Sequence, residues 1–426
     1  MPYRPAAARA DVAVVGRGGV GLAAALALGR AGLSTTLIGA PPAADLNDPW
    51  DLRVFALSPA TRALLESIGV WHALDADRIA PVYDMRVFPA FGGDRDPLHF
   101  SAYEARVDAL AWIVEQRNLL NALEQAVRFA GLPVIDERFD GFDADADAVA
   151  SSRAHALPAS AVHVRLEGGR RLRARLVVGA DGAASRVRDA AGLAWTVSDY
   201  PQRALVAHFD TEQPHRDIAW QWFGRDGVLA LLPLPAATGP GASAGRVSMV
   251  WSAPLELADS LQAMSADELA ARVRVAAGSA LGAMAPISRV EAFPLRLGRV
   301  GSMIGPRVAL VGDAAHLVHP LAGQGMNLGF GDVAALAGAL RGREKGREKG
   351  RDPGERLVLR RYARARAEPV MAMRSATDGL QRLFDPSRQP LPAALAPLVE
   401  SVVALGWRAV ASSGWLKRQL VAQAVR

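Results

Sequence analysis

The chain has 426 residues, of which 50% are hydrophobic and 22% are charged, and its net charge is +6. This is the composition of a globular protein, and the length predicts two domains. Because cysteine is absent, disulfides, thiolate nucleophiles, thiolate zinc sites and iron–sulfur clusters are excluded, and any redox chemistry requires a bound organic cofactor.

Half of the net charge, +3, falls in the segment Arg341–Arg356, which contains the run GREKGREK. A low-complexity polar segment of this kind is typical of a solvated loop, so we expect no nucleic-acid partner. No run of about 18 apolar residues predicts a membrane-spanning helix. The apolar N-terminal stretch is interrupted by Arg17, Gly18 and Gly19, unlike a cleavable signal. We therefore expect a cytoplasmic protein that is not secreted.

The first predicted elements are a strand, a glycine turn and a helix. Asp11–Val15 is a short apolar run that predicts a buried parallel strand, and Leu22–Arg30 predicts a helix. The turn between them has the spacing GxGxxG, in which backbone N–H groups at a helix N-terminus can bind a pyrophosphate. We predict a dinucleotide-binding turn with the candidate residues Gly16, Gly18, Gly19, Val20 and Gly21.

The second strand, predicted at Thr35–Ile38, ends without the acid that commonly binds the ribose hydroxyls of a dinucleotide. Gly39 stands in its place and is followed by Ala-Pro-Pro. Asp45 or Asp48 could reach back from the following loop, and a merely solvated loop acid is the alternative. The sequence therefore leaves the ribose contact open.

Two later strands each end in an aspartate. Leu176–Ala180 leads into Asp181-Gly182, and Val308–Val311 leads into Gly312-Asp313. Each pattern alone is compatible with an ordinary strand followed by a turn. Their occurrence after the glycine turn, at this separation and in this order, favours three parts of one binding site.

The segment after Asp313 predicts the start of a helix at Gly323–Asn327. His316 and His319 lie three residues apart, but no third metal ligand is evident. We therefore predict no metal site, and we expect His316 to pack or to hydrogen-bond within its turn.

The three ordered motifs resemble those of the FAD-dependent aromatic hydroxylases, the para-hydroxybenzoate hydroxylase-like flavoprotein monooxygenases. The resemblance implies that Asp313, after Gly312, binds the ribityl chain of FAD, and that Asp181 belongs to a motif associated with FAD and NAD(P)H. The helix start would face flavin N1 and O2, where its dipole stabilises the anionic reduced flavin. The flavin-edge candidates are Pro320, Gly323, Gln324, Gly325, Met326 and Asn327.

Two further stretches resemble the branch of this family that acts in ubiquinone biosynthesis on polyprenylphenols, polyprenyl-methoxyphenols and demethoxyubiquinol. The stretch Asp51–Ser58 implies that Arg53 lies beside the flavin; a surface arginine is the alternative. Leu110–Val127 has apolar residues at helical spacing and resembles the helix beside FAD. Gln116 is a candidate contact there, and an exposed helix glutamine is the alternative.

The resemblance implies an α/β fold: a Rossmann-like FAD-binding domain, with a parallel sheet and helices, and an inserted β-sheet substrate domain. Short strand-like runs support the inserted sheet: Arg203–Phe209, Trp220–Phe223, Val228–Leu234 and Arg246–Trp251. We expect a discontinuous FAD domain of residues 1–75, 105–190 and 291–340 and a substrate domain of residues 76–104 and 191–290. A charged loop at 341–356 and C-terminal helices at 357–426 complete the prediction.

The implied substrate pocket lies under the inserted sheet and has mostly apolar walls. Its aromatic candidates, for each of which core packing is an equally good explanation, are Trp220, Trp222, Phe223 and Trp251.

The C-terminal part of the chain is predicted to be helical at Leu357–Phe384 and again after Leu391. The segment Leu391–Arg426 mixes tryptophan and leucine with basic residues, which suits a membrane interface: Trp407, Trp415, Leu416, Arg408, Lys417 and Arg418. Packing on the flavin domain is the alternative. Peripheral contact with the inner membrane, a quinone-biosynthesis complex and a homo-oligomer are left open.

In the reaction that the resemblance implies, NAD(P)H reduces FAD, and O₂ then forms a C4a-hydroperoxyflavin that hydroxylates the ring of a polyprenylated phenol in ubiquinone biosynthesis. The cofactor carries the chemistry, so no side-chain nucleophile or base is predicted. Two alternatives are a hydroxylase of a small soluble aromatic and a non-catalytic flavin-binding subunit of a quinone-synthesis complex. The ring position and the choice between NADH and NADPH stay open.

Overall fold

The structure is a computed structural model that describes residues 8–41, 50–88, 97–143, 161–224, 226–236, 243–318, 324–341 and 352–384. Its helices are α1 (Gly19–Arg30), α2 (Pro59–Ser67), α3 (Ala102–Ala105), α4 (Gln116–Phe129), α5 (Arg186–Ala190), α6 (Leu255–Ala263), α7 (Ala266–Ala276), α8 (Gln324–Leu340) and α9 (Arg356–Phe384).

The strands of the first half of the chain are β1 (Ala8–Val15), β2 (Thr35–Ile38), β3 (Val54–Leu57), β4 (Ile79–Val82), β5 (Asp84–Phe88), β6 (Leu98–Ser101), β7 (Ala111–Glu115), β8 (Val134–Ile135), β9 (Phe139–Phe142), β10 (Val162–Leu166) and β11 (Arg171–Gly179). Those of the second half are β12 (Trp195–Thr211), β13 (Ile218–Gly224), β14 (Gly227–Leu234), β15 (Gly245–Pro254), β16 (Met284–Pro286), β17 (Glu291–Val300), β18 (Ile304–Gly305), β19 (Val308–Leu310) and β20 (His316–Leu317).

The first sheet has the strand order β18-β19-β11-β1-β2-β8, with β10 and β9 added by antiparallel pairing. The strands β19, β11, β1 and β2 are parallel, so their carboxyl ends meet at one edge. Val12 and Val14 of β1 pack with α1, while Ala13 and Val15 pack in a second cluster on the other face. Burial on both faces explains the unbroken apolar run that the sequence has here. Ligands of open α/β sheets bind at this edge.

The second sheet has the order β20-β17-β12-β15-β14-β13-β5-β6 and is antiparallel apart from the β13–β5 pair. It confirms the predicted strands of the inserted sheet. One face, which we call the helix face, packs against α6 and α7 through a core of alternating residues that includes Leu205, Phe209, Leu231 and Met249. These two helices between the strands were not predicted, although the capping box formed by Ser265 and Glu268 marks the start of α7.

The opposite face of the second sheet, which we call the flavin-side face, packs on a small third sheet with the order β3-β7-β4. Ala219, Ala230 and Leu232 of the large sheet share a buried cluster with Val82 and Ile113 of the small one. The small sheet therefore lies between the inserted sheet and the layer that carries the glycine turn.

The prediction of a helix over Leu110–Val127 was wrong in its first part. Ala111–Glu115 is a buried strand that pairs antiparallel with both β3 and β4, and the helix begins at Gln116. A short apolar run with β-branched residues fits either state, and its two strand partners decided between them here.

A buried polar network joins the small sheet to the inserted sheet. Glu115, which is 2% exposed, binds the Arg78 guanidinium through both carboxylate oxygens at 2.7 Å. The Trp50 indole contacts the guanidinium groups of both Arg78 and Arg246, which lie 4.2 and 5.0 Å from its ring centre. Buried ion pairs need such complete partnering because an unpaired buried charge is costly.

His208 of β12 belongs to the same interface. Its Nε2 donates to the backbone carbonyl of Asp51 at 3.0 Å, and burial lowers the pKa of the imidazole. A carbonyl can only accept, so the ring is held with hydrogen on Nε2. His208 is thus a neutral contact between the two layers.

The predicted helix over Leu357–Phe384 is confirmed as α9. The tail Leu391–Arg426 and its tryptophan and basic residues lie outside the described residues, as does most of the charged loop. Among the residues that the structure describes, no helix is long and apolar enough to span a membrane.

Candidate functional site

The glycine turn between β1 and α1 depends on the absence of side chains. Gly16 has φ +118°, and a Cβ atom there would lie 2.1 Å from the carbonyl oxygen of Ala180. A Cβ atom on Gly21 would lie 2.0 Å from the carbonyl oxygen of Gly16. At Gly18, in contrast, a Cβ atom would meet nothing within 4 Å. Gly16 and Gly21 therefore serve the backbone, whereas the space beside Gly18 is available to a ligand.

Gly39, which stands where a ribose-binding acid was expected, packs on this turn. It has φ +146°, and a Cβ atom on it would lie 3.4 Å from the Arg17 backbone nitrogen. The carboxylates bound near the turn are Glu124, which accepts from the Arg17 guanidinium at 2.9 and 3.0 Å, and Asp136. Asp45 and Asp48 lie outside the described residues.

Asp181 follows β11 and lies next to the glycine turn, since the Ala180 N–H donates to the Val15 carbonyl at 2.7 Å. Its carboxylate accepts from the Ser185 hydroxyl at 2.5 Å and from the Val187 N–H at 3.1 Å. Burial raises the pKa of Asp181, and these hydrogen bonds partly oppose that rise. The side chain is therefore engaged in fixing the start of α5.

Asp313 follows β19, and the same edge of the sheet brings its turn to the glycine turn. A Cβ atom on Gly312 or Gly329 would lie 3.2 or 2.7 Å from the Val20 side chain, so Val20 contacts both. Among the described residues, the Asp313 carboxylate has no hydrogen-bond partner.

The Asp313 side chain is exposed to solvent, yet the surrounding protein raises its pKa by desolvation, which the nearby His316 partly opposes. The two observations agree if the carboxyl group lies on the floor of a cleft, where water reaches it from one side only. An unpartnered carboxylate in such a cleft is well suited to accept hydrogen bonds from ligand hydroxyls.

The helix start predicted after Gly323 is confirmed at Gln324. Asn327 in its first turn is held by three hydrogen bonds: it accepts from the Ser58 N–H at 2.9 Å and the Thr61 hydroxyl at 2.8 Å, and donates to the Ala56 carbonyl at 2.7 Å. These bonds attach α8 to the start of α2. Met326 contacts Gly19, and Gly325 borders Val318, while Pro320 and Gly323 lie outside the described residues.

Arg53 and Gln116 lie together, because the Gln116 N–H donates to the Arg53 carbonyl at 2.9 Å. The Arg53 guanidinium is exposed and lies 5.2 Å from the ring centre of Phe293, a residue of the inserted sheet. The pair therefore stands at the junction between the small sheet and the flavin-side face. That position suits a contact with a ligand bound between the layers.

The aromatic candidates of the inserted sheet are not all on one face. Trp220, Trp222 and Trp251 belong to the helix face, where Trp220 and Trp222 are stacked at 6.0 Å and the Trp251 indole N–H donates to the Asp226 carbonyl at 2.9 Å. Phe223 alternates to the flavin-side face. The structure therefore does not bring the three tryptophans to the side that meets the flavin layer.

If the aromatic substrate that the resemblance implies binds outside the helix face, replacement of Trp222 by leucine is expected to leave its KM within about twofold of the wild-type value, because the indole faces α6 and α7. The matched variant Phe293→Leu alters the ring that contacts Arg53 and is expected to raise KM severalfold. Steady-state kinetics at equal flavin content compare the two. A severalfold rise for Trp222→Leu alone would contradict this assignment of the two faces.

His316 is packed in the interior, as the sequence predicted, but its hydrogen bond leaves the turn and goes to α8. Its Nε2 donates to Asp332 at 2.7 Å, and both side chains are buried. Sequence reasoning missed Asp332. The available signal was a lone acid inside the apolar run of α8, since such a group needs a buried partner.

The site therefore joins a glycine turn with open space at Gly18, an exposed and unpartnered carboxylate at Asp313 and the start of α8. Backbone N–H groups at a helix terminus suit a pyrophosphate, and a carboxylate suits the hydroxyls of a polyol chain. These features fit FAD and define an FAD-binding α/β protein.

Comparison with known proteins identifies the family. A model described as FAD binding domain matches residues 9–374. Ubiquinone hydroxylase UbiL of Rhodospirillum rubrum is 36% identical over 98% of this chain and 89% of its own length. The 3-demethoxyubiquinol 3-hydroxylase of Escherichia coli is 34% identical over 97% of this chain and 98% of its own. The chain therefore belongs to the FAD-dependent flavoprotein monooxygenases, in the branch that contains the ubiquinone hydroxylases.

Solved structures share the fold. PqsL of Pseudomonas aeruginosa, in complex with 2-aminobenzoylacetate, matches with a TM-score of 0.70 and 24% identity over 89% of this chain and 98% of its own. Klebsiella pneumoniae HpxO, complexed with FAD and uric acid, has a TM-score of 0.70 and 17% identity over 99% and 98%. The predicted fold class and the FAD cofactor are confirmed.

Proposed function

We propose that this enzyme hydroxylates the aromatic ring of a polyprenylated phenol in ubiquinone biosynthesis. The observation that carries the proposal is similarity over nearly the whole chain to hydroxylases named for that pathway, including human COQ6, which is 31% identical over 92% of this chain. When bound, FAD supplies the oxygen-transfer chemistry with NAD(P)H and O₂. The chain's own residues bind the cofactor, orient the ring and exclude water.

For the cofactor, we propose that the turn at Gly16–Gly21 binds the pyrophosphate and that Asp313 binds the ribityl hydroxyls. Open space beside Gly18 and the unpartnered Asp313 carboxylate support these roles. We also propose that the start of α8, at Gly325–Asn327, meets the flavin edge through its backbone N–H groups. The bonds of Asn327 to β3 and α2 hold that helix start in place.

For the substrate, we propose that the ring binds at the junction marked by Arg53 and Phe293. The contact between these side chains, and the apolar cluster of the flavin-side face beside it, support this choice over the three tryptophans of the helix face. The participation of β5 and β6 in the inserted sheet supports the discontinuous substrate domain that we propose. The strands β17 and β20, which lie within the expected FAD segment 291–340, pair in the same sheet.

A polyprenylated substrate partitions into lipid, so we propose that the enzyme works at the surface of the inner membrane. The tail Leu391–Arg426 is our candidate for that contact because it mixes tryptophan with basic residues. Co-sedimentation of the full-length protein with anionic vesicles tests it. Loss of binding on replacing Trp407 and Trp415 by serine is expected, and unchanged binding would contradict a role for the tail.

The deciding experiment is the profile of quinone intermediates in cells that lack this protein, together with turnover by the purified enzyme. We expect a prenylated intermediate that lacks one ring oxygen to accumulate, and the pure protein to convert it with NADH or NADPH and O₂. Hydroxylation of small soluble phenols alone would favour the soluble-aromatic alternative. Flavin reduction without any hydroxylated product would favour a non-catalytic subunit.

A further inference from the structure

Asp332 of α8 is completely buried and is surrounded by donors. One carboxylate oxygen accepts from the Gly312 N–H at 2.9 Å and from His316 Nε2 at 2.7 Å, and the other accepts from Arg366 Nε at 2.6 Å. These donors occupy three of the roughly four lone pairs of the carboxylate, and complete burial keeps the side chain away from a ligand. Asp332 is therefore a structural anion rather than a contact of the cofactor.

The donors of Asp332 lie on both sides of Asp313. Gly312 precedes Asp313 and has φ +61°, and His316 closes the same turn. A short turn fixed at both ends by one carboxylate has little freedom to move its central residue. We propose that Asp332 is a positioning residue that aims the Asp313 carboxylate into the cofactor cleft. The proposal rests on the role of Asp313 proposed above.

Helix α9 also holds the Asp332 side chain in place. Arg366 of α9 donates to Asp332 and also to the Leu328 carbonyl at 3.0 Å, so its guanidinium bridges α9 to α8. Arg366 is 8% exposed, and this buried position keeps its ion pair with Asp332 largely out of reach of salt. Because Asp332 is charged and buried, its orientation is set by these three partners and not by solvent.

Chemistry explains why an aspartate is needed here. An asparagine has the same shape but only one acceptor oxygen, so it can serve either the turn or Arg366, and its NH₂ group would face a donor at the other position. Asp332→Asn is therefore expected to release one end of the turn while it keeps the packing volume.

The test compares Asp332→Asn with Tyr362→Phe. Tyr362 is a buried α9 residue whose hydroxyl donates to the Leu310 carbonyl at 2.7 Å, so its loss weakens the docking of the same helix while the three hydrogen bonds of Asp332 remain. We expect Asp332→Asn to raise the Kd for FAD about tenfold and to shift the midpoint potential of the bound flavin. Tyr362→Phe is expected to lower the melting temperature while the Kd stays within about twofold.

The proposal would be overturned if Asp332→Asn had the wild-type Kd for FAD and the wild-type midpoint potential. It would also be overturned if Tyr362→Phe bound FAD tenfold more weakly, since helix docking alone would then explain the effect. If Asp332→Asn does not fold, His316 provides the second comparison. His316→Gln keeps a donor and is expected to bind FAD within about twofold of the wild type, whereas His316→Leu is expected to lose about fivefold. Equal affinities of those two variants would also overturn it.

A variant at Asp313 separates this proposal from the cofactor site itself. If Asp313→Asn loses FAD and Asp332→Asn does not, the positioning role of Asp332 is refuted, whereas the role of Asp313 in FAD binding is retained. If Asp313→Asn binds FAD normally, the assignment of the site fails first.

Discussion

Asp313→Asn is expected to yield a folded protein that is purified without its yellow cofactor. The wild-type carboxylate is exposed to solvent and has no hydrogen-bond partner among the described residues, so a ligand hydroxyl meets a charged acceptor there. Hydrogen bonds to charged groups contribute about 1.5–3 kcal/mol, so the Kd for FAD should rise roughly tenfold to a hundredfold. Fluorescence titration of the cofactor-free protein with FAD measures it.

Although Asp313→Asn weakens FAD binding, it is expected to stabilise the cofactor-free protein at neutral pH. Desolvation raises the pKa of Asp313 in the folded state, so the folded protein holds this proton more tightly than the unfolded chain does. The contribution of Asp313 to stability is therefore fully present below the unfolded pKa and is lost as the pH rises through the folded pKa. Asp313→Asn should melt higher than the wild type at neutral pH, and the difference should disappear in acid.

Asp181→Asn is the control for this pH dependence. The pKa of Asp181 is also raised by burial, but its carboxylate accepts two hydrogen bonds that fix α5. Asparagine there should lower the melting temperature at neutral pH. If both variants were destabilised equally, Asp313 would be a structural residue like Asp181, and its assignment to the cofactor would lose its support.

Gly16→Ala and Gly18→Ala are expected to fail in different ways. At Gly16 the backbone has φ +118° and a Cβ atom would overlap the Ala180 carbonyl, so alanine should destabilise the cofactor-free fold by about 3 kcal/mol or more. At Gly18 the backbone has φ −76°, which alanine adopts freely. That variant should keep its melting temperature but should bind FAD at least about tenfold more weakly, because the methyl group occupies the open space.

Thermal melts of the cofactor-free proteins and FAD titrations distinguish the two variants. Riboflavin, which lacks the pyrophosphate, is a useful probe for Gly18→Ala, since its binding should be unaffected. A Gly18→Ala protein that binds FAD like the wild type would exclude close approach of a phosphate at this residue.

The sequence was informative where local rules decide the structure. Thr35–Ile38 was predicted to the residue, and the glycine turn, α9 and the strands of the inserted sheet were all confirmed. Strict apolar runs predict strands buried on both faces, and the GxGxxG spacing predicts a tight turn, in which Gly16 and Gly21 have no room for a Cβ atom.

The sequence was less informative where contacts between residues far apart in the chain determine the structure. Ala111–Glu115 became a strand because β3 and β4 flank it, which no local pattern records. Both faces of the inserted sheet are apolar, so the sequence does not show which face α6 and α7 cover. The structure places on that covered face the three tryptophans Trp220, Trp222 and Trp251. The bonds of Asp332 join residues up to 34 positions apart, and spacing alone does not reveal them.

The partnership of Asp332 with Arg366 has a consequence for the order of synthesis. The glycine turn near residue 16 leaves the ribosome early, whereas Arg366, the buried partner of the Asp332 carboxylate that binds the Gly312 N–H, is made about 350 residues later. Domains generally fold as units when their chain is available. The cleft for FAD can therefore reach its final form only after α9 has been translated, and the cofactor enters a nearly finished protein instead of templating its first strands.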